Sequence, residues 1–342
     1  MKVEIPEQLK ADVPPTKWGK LLTATPVVMA VVATMLAGLS SSEMTRAQYD
    51  RSLAAQQQSK AGDQWGFFQA KRMRGALQHS SLDVLQGTVE LRPVTAAALK
   101  KAAEQLPVEP DRAGAASVRT ELLLALDSPA GQQALSCLER KELPWVGQPP
   151  TPEAAIKAAL EAVENLKPDT EISALLTQVT DKALNDALRA AREQAQALDT
   201  ATKPVNQTID LLESALRRQE AARRTQSTTA ITNAWLFAAS ASLSRDFTAA
   251  RLRYAALRYE VEARLNQAIA NLHELQVRKS NTSAARHHTR SQRFFYGMLA
   301  AQLGVIISTF AIAARQRNLL WSLAAAAGLL AVAFAIYVYL YV

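Results

Sequence analysis

The stretch FFYGMLAAQLGVIISTFAIAA, residues 294–314, is followed after RQRN by LLWSLAAAAGLLAVAFAIYVYLYV, residues 319–342. Neither stretch contains a charged residue, and about 20 apolar residues suffice for a helix to cross the hydrocarbon core of a bilayer. The four residues between them, Arg315 to Asn318, leave room only for a tight connection. The two stretches therefore predict a hairpin of transmembrane helices.

A third uncharged run, residues 21–39, follows Lys17 and Lys20 near the N-terminus. Residues 1–20 contain three prolines among mixed charges, so we expect a flexible tail there. The run could be a cleaved signal peptide, because small residues follow it. Its length and Leu39, which interrupts a small-x-small cleavage pattern, favour an uncleaved anchor. We therefore expect three transmembrane helices.

The section between these runs is rich in Ala, Gln, Glu, Arg and Leu and poor in Gly and β-branched residues. This composition is typical of long helices, and it predicts an all-α fold in which a coiled-coil or helical-bundle soluble domain joins the membrane segments. The breaks predict a helical segment at 40–86, a small helical subdomain at 87–143, a proline-rich connector at 144–150, a helical hairpin at 151–203 and one or more long coiled-coil helices at 204–293.

The strongest periodicity lies in the last of these segments, where apolar residues recur at steps of 3 and 4, as in a coiled coil. A break at Pro204 is expected to start a new helix. No proline or glycine occurs between Pro204 and Gly297, so the helix that carries the seam is expected to continue through His287 and His288 into the membrane segment at Phe294. The apolar seam predicts self-association, or else packing back on residues 41–86. Its main members are Leu243, Phe247, Tyr254, Leu257, Val261, Leu265, Leu272 and Leu275.

Catalytic patterns are missing from the sequence. Cys137 is the only cysteine and lies among apolar residues, which predicts a buried thiol rather than a metal or redox site. The pair His287-His288 lies beside arginines that would repel a cation, and no phosphate-binding or hydrolase motif occurs. We expect a non-enzyme with no cofactor, metal or small-molecule substrate.

The net charge of +8 does not by itself indicate nucleic-acid binding, since no aromatic-interleaved basic stripe accompanies it. Several cations instead flank the apolar runs. Because short loops weigh most in membrane orientation, Arg315 and Arg317 together with Lys17 and Lys20 favour a cytoplasmic position for the N-terminus and the 315–318 loop. The large domain is then expected outside.

One aromatic patch stands out in the soluble part, within DQWGFFQAKRMRGAL at residues 63–77. Trp65, Phe68 and Arg72 fall on one face of a helix, and aromatic residues with arginine dominate binding hot spots. These three residues are the candidate partner-binding site. The alternative is an anchor that packs on the coiled-coil seam within the same chain.

This patch, the apolar run before it, and the terminal pair split by RQRNLLW at 315–321 resemble an uncharacterised bacterial membrane-protein family, domain of unknown function 4337. Its signature is close to D-Q-W-x-x-Y/F-Q-A-K-x-x-R, and residues from about 87 to 204 are an expansion of the family's shorter form. The resemblance implies three transmembrane helices and a bacterial source, and it implies no activity.

Together these features predict a non-catalytic, membrane-anchored helical scaffold or interaction protein in the bacterial cytoplasmic membrane. Its partners would be the lipid bilayer and either further copies of itself or another membrane protein. The alternative is an auxiliary subunit of a larger transport, secretion or envelope-maintenance complex.

Overall fold

The computed structural model describes residues 17–104, 118–144, 151–226, 234–313 and 317–341. Within these ranges the chain forms nine α-helices and no strand, which confirms the all-α prediction. The helices are α1 (Lys17–Thr88), α2 (Ala96–Glu104), α3 (Val118–Asp127), α4 (Pro129–Arg140), α5 (Ala154–Glu164), α6 (Asp169–Gln178), α7 (Asp181–Gln226), α8 (Ala234–Ala313) and α9 (Arg317–Tyr341).

Three of these helices, α1, α8 and α9, are long and apolar enough to cross a membrane. α8 runs without interruption through His287 and His288 into the apolar stretch that begins at Phe294, as expected from the lack of proline and glycine there. The tail at 1–20 lies mostly outside the described residues, as do 145–150 of the proline-rich connector and Arg315 and Gln316 of the short loop.

The chain divides into two compact units. The terminal unit comprises Met1–Gln57 and Gln276–Val342, and the central unit comprises Gln58–Leu275. Both α1 and α8 contribute residues to each unit.

In the terminal unit the apolar parts of α1, α8 and α9 pack on one another through small residues. The buried positions of α8 follow steps of 3 and 4, which places them on one face of the helix. Met29 of α1 lies so close to Gly304 and Gly328 that a Cβ atom at either glycine would approach its side chain within 2.4 Å. The buried face of α8 consists of Phe294, Gly297, Ala301, Gly304, Ser308 and Ala311.

Polar side chains join α1 to α8 just beyond this apolar bundle. Ser40 Oγ donates to the carbonyl of Ser291 (2.9 Å), and Ser291 Oγ donates to the carbonyl of Ser40 (2.8 Å). About one helical turn farther along, His287 Nδ1 donates to the carboxylate of Glu43 (2.5 Å). At the opposite end of the bundle, Trp321 Nε1 donates to Thr25 Oγ1 (2.9 Å). These contacts set the register of the helices.

In the central unit, α2, α3 and α4 pack with α7 and α8 around a first apolar cluster. α4 begins where Ser128 Oγ accepts the backbone N–H of Gly131 (3.0 Å) and Pro129 occupies the first turn, and it ends at Lys141, whose φ of 60° is left-handed. Cys137 is buried in this cluster, as predicted. The largest fully buried members are Leu99, Leu126, Leu212 and Phe247.

A second apolar cluster joins α5 and α6 to the first half of α7 and to residues 269–275 of α8. Ile156, Ile172 and Leu176 project from the two short helices, and Leu184 and Leu275 meet them. α1 packs on α8 elsewhere in the unit, where Leu82 contacts a smaller cluster with Ala249 and Leu252.

The predicted break at Pro204 is wrong, because α7 continues through this residue from Asp181 to Gln226. A proline inside a helix removes one backbone hydrogen bond and costs about 3 kcal/mol. Here Leu198, Val205 and Ile209 are buried on both sides of Pro204, and their burial outweighs that cost. The 151–203 segment therefore consists of α5, α6 and the first half of α7, with no boundary at residue 203.

Candidate functional site

The aromatic patch lies in the part of α1 that belongs to the central unit. The Trp65 and Phe68 rings meet edge to face, with centroids 5.4 Å apart, and the guanidinium of Arg72 lies 5.9 Å from the Phe68 centroid. Both rings are half-buried and Arg72 is exposed. The structure therefore brings the three predicted residues together on one face of α1, as their spacing implies.

Phe68 and Arg72 line a groove of about 420 Å³ between α1 and α8. Its floor is formed by small residues, including Gly75 and Ala256, and a Cβ atom at Gly75 would lie 3.5 Å from Tyr259 Cβ. Because small side chains leave space between two packed helices, the groove has an apolar base. Its polar rim consists of Arg72, His79, Glu260, Arg264 and Gln267.

A charged cluster beside the groove holds α1 against α8. Lys71 pairs with Glu262, and Arg258 Nε lies 3.4 Å from the same carboxylate. The Tyr259 ring lies near both cations, with its centroid 4.6 Å from the Arg258 guanidinium and 5.5 Å from Lys71 Nζ. Lys71 is part of the D-Q-W motif, so one residue of the motif links the helices while its neighbours line the groove.

A second cavity, of about 280 Å³, lies between α1, α7 and α8. Arg251, Tyr254 and Arg258 are among the residues that line it, and the two arginine Nε atoms and the tyrosine hydroxyl are buried without a hydrogen-bond partner in the described protein. Burial raises the pKa of Tyr254 well above its usual range, and Cys137 adds to the shift. The three atoms are hydrogen-bond donors, so the cavity suits water or another small acceptor.

The seam residues of α8 are distributed along the central unit. Phe247 and Tyr254 are buried in the first apolar cluster, and Leu243 packs against it. Leu272 and Leu275 are buried in the second. Leu257, Val261 and Leu265 are half-buried between the two clusters. Both ends of the seam are thus covered by helices of the same chain.

His287 and His288 do not form a metal cluster in the described residues, where no group of three or more His, Cys, Asp or Glu side chains is suitably placed. His287 instead binds Glu43, and His288 Nε2 lies 3.1 Å from the side-chain amide of Gln292. Sequence reasoning missed Glu43, because its partner lies 244 positions away.

Residues 18–118 match the family described as Domain of unknown function (DUF4337). The matched range contains the first apolar helix and the D-Q-W motif and extends past Gly87, and it confirms the predicted resemblance. No curated protein and no solved structure matches the chain.

Proposed function

We propose that this chain is a membrane-anchored helical interaction protein without catalytic activity, in which the groove between α1 and α8 binds a segment of a partner protein. The single observation that carries the proposal is that Phe68 and Arg72, two of the three predicted residues, line this groove, whereas Trp65 packs on Phe68 outside it. Phe68 offers a partly exposed ring at one wall, and Arg72 projects from the rim. Aromatic and arginine side chains around a small apolar depression form the usual centre of a binding hot spot.

The charges on the rim indicate the chemistry of the partner. Arg264 pairs with Glu260 (2.5 Å), so this carboxylate is already neutralised within the chain. Arg72 makes no ion pair in the described residues, and its guanidinium lies 5.9 Å from the Phe68 ring centroid. The groove therefore fits an apolar side chain flanked by an acidic residue, and the carboxylate would pair with Arg72.

We place the protein in the bacterial cytoplasmic membrane, with α1, α8 and the hairpin partner α9 as spans and the central unit outside. Three apolar helices support the membrane location. Arg315 and Arg317 in the short connection support its cytoplasmic position, because short loops follow the positive-inside rule best. Reporter fusions at residue 316 and within 105–117 would test the orientation, since the two sites must give opposite results.

Affinity capture from solubilised membranes tests the groove. Phe68→Ala and Arg72→Ala should each lose a bound partner, and Phe67→Ala is the matched control because this neighbouring ring is 55% exposed and does not line the groove. Retention of the same partner by all three variants would contradict the proposal. Circular dichroism of each variant separates lost binding from lost folding.

The identity of the captured protein decides between the two roles. Crosslinked homo-oligomers alone support a self-associating scaffold. A different membrane protein, held in a complex of fixed composition, supports an auxiliary subunit of a transport, secretion or envelope-maintenance assembly. In either case the groove is the docking site only if Phe68→Ala abolishes the association and Phe67→Ala preserves it.

A further inference from the structure

The last two turns of α8 before its apolar stretch carry three arginines on one side of the helix. Arg286, Arg290 and Arg293 are spaced i, i+4 and i+7, and Phe294 follows directly. We infer that these arginines, here called the cationic belt, form a binding site for the headgroups of anionic phospholipids. The inference rests on the proposed membrane location and adds a class of ligand to it.

Helix geometry places the belt at the depth of the lipid headgroups. Successive residues rise 1.5 Å, so Arg293, Arg290 and Arg286 lie roughly 1.5, 6 and 12 Å above Phe294 along the helix axis. The headgroup layer on each side of a bilayer is about 5–7 Å thick. Arg293 and Arg290 thus fall within it, and the long side chain of Arg286 can reach it from above.

The local charge balance is strongly positive. The sequence contains no Asp or Glu between residues 275 and 342. In the portion of α1 that belongs to the terminal unit, the carboxylates are Glu43 and Asp50. Glu43 already binds His287 and lies 3.4 Å from Arg46. Asp50 lies two helical turns beyond Glu43, away from the apolar bundle.

None of the three belt arginines makes an ion pair in the described part of the chain. Arg290 Nε and His288 Nδ1 are buried there without a hydrogen-bond acceptor. Buried polar atoms are normally satisfied, and a phosphate oxygen is a strong acceptor for guanidinium donors. A phosphodiester at the membrane surface would supply acceptors to the accessible guanidinium N–H groups of the belt, together with the balancing negative charge.

The full-length chain in nonionic detergent should therefore bind dioleoyl phosphatidylglycerol more tightly than dioleoyl phosphatidylcholine, as measured by native mass spectrometry. Each cation near an anionic surface contributes a factor of roughly five in affinity. The variant R286Q/R290Q/R293Q should lose this preference, and R286K/R290K/R293K should keep most of it. R140Q/R189Q/R217Q, which removes three exposed arginines of the central unit, is the charge-matched control and should behave as wild type.

Three results would overturn the inference. These are equal affinity of the wild type for both lipids, equal losses in the belt and control variants, or displacement of phosphatidylglycerol by millimolar inorganic phosphate, which would indicate a free-phosphate site. Extraction of the wild type from membranes by alkaline carbonate would instead refute the membrane location. If the protein resists carbonate extraction but binds both lipids equally, the lipid-binding role of the cationic belt is refuted and the membrane location is not.

Discussion

The terminal and central units bury opposite kinds of side chain. In the terminal unit the buried positions are mostly small, such as Ala33, Ala301 and Ala331, and the exposed ones are large and apolar. In the central unit the buried positions are large, such as Leu126, Ile156 and Leu212, and most of the surface is polar. The difference indicates two solvents for one chain. Water favours burial of large apolar groups, whereas in lipid small residues let helices approach closely.

The largest effect should come from crowding the central unit. A Cβ atom at Gly131 would lie 2.0 Å from the carbonyl oxygen of Ala125 and 2.6 Å from Leu126 Cα, and backbone atoms cannot move aside. Gly131→Ala should therefore destabilise the central unit by more than about 4 kcal/mol. The rate of Cys137 alkylation in a urea titration measures this, because the thiol is buried in the same cluster.

Gly62→Ala is the matched control for this substitution. Nothing lies within 4 Å of a Cβ atom at Gly62, and alanine is the better helix former. The control should stabilise α1 by up to about 1 kcal/mol. A small effect of Gly131→Ala on Cys137 protection would contradict the packing of α3 on α4.

Replacing an exposed leucine by lysine should be costly in the terminal unit and nearly neutral in the central unit. Leu330 is 69% exposed near the middle of α9, and Leu166 is 89% exposed in the central unit. If lipid surrounds α9, Leu330→Lys should cost about 2.5–3.5 kcal/mol of insertion free energy. Leu166→Lys should be neutral within about 0.5 kcal/mol, since that residue meets water.

The amount of each variant that stays in the membrane pellet after alkaline carbonate extraction measures its membrane insertion. Equal amounts of Leu330→Lys and Leu166→Lys in the pellet would contradict the claim that lipid surrounds α9 and water surrounds the central unit.

The smallest effect concerns the pH dependence of stability. Burial raises the pKa of the Cys137 thiol, and Glu142 raises it further. The thiol then loses its proton more easily in the unfolded chain, so its contribution to stability is complete below about pH 8.5 and declines above that value. Between pH 8.5 and 9.5 the wild type should lose up to about 1 kcal/mol more than Cys137→Ala. Parallel urea midpoints across this range would contradict the burial of the thiol.

Much of the architecture could be predicted from the sequence, because it depends on local composition. Uncharged runs predicted three apolar helices, and the lack of helix breakers before Gly297 predicted the continuity of α8. Pro204 misled the prediction, since its cost is local whereas the burial of Val205 and Ile209 that offsets it depends on tertiary contacts.

Only the α1 side of the candidate site could be predicted from the sequence. Spacing alone placed Trp65, Phe68 and Arg72 on one helix face. The opposite wall of the groove comes from residues of α8 nearly 200 positions away, as does Glu262, the partner of Lys71. A single sequence contains no record of such pairings, because neither periodicity nor composition specifies which distant helix faces meet.

Alkaline carbonate extraction of the full-length chain from the membranes of expressing cells tests the central claim most directly. If lipid is the solvent of the terminal unit, the protein should stay in the membrane pellet, and its exposed apolar residues should react with a photoactivatable lipid probe. Release of the intact chain into the supernatant would contradict the account.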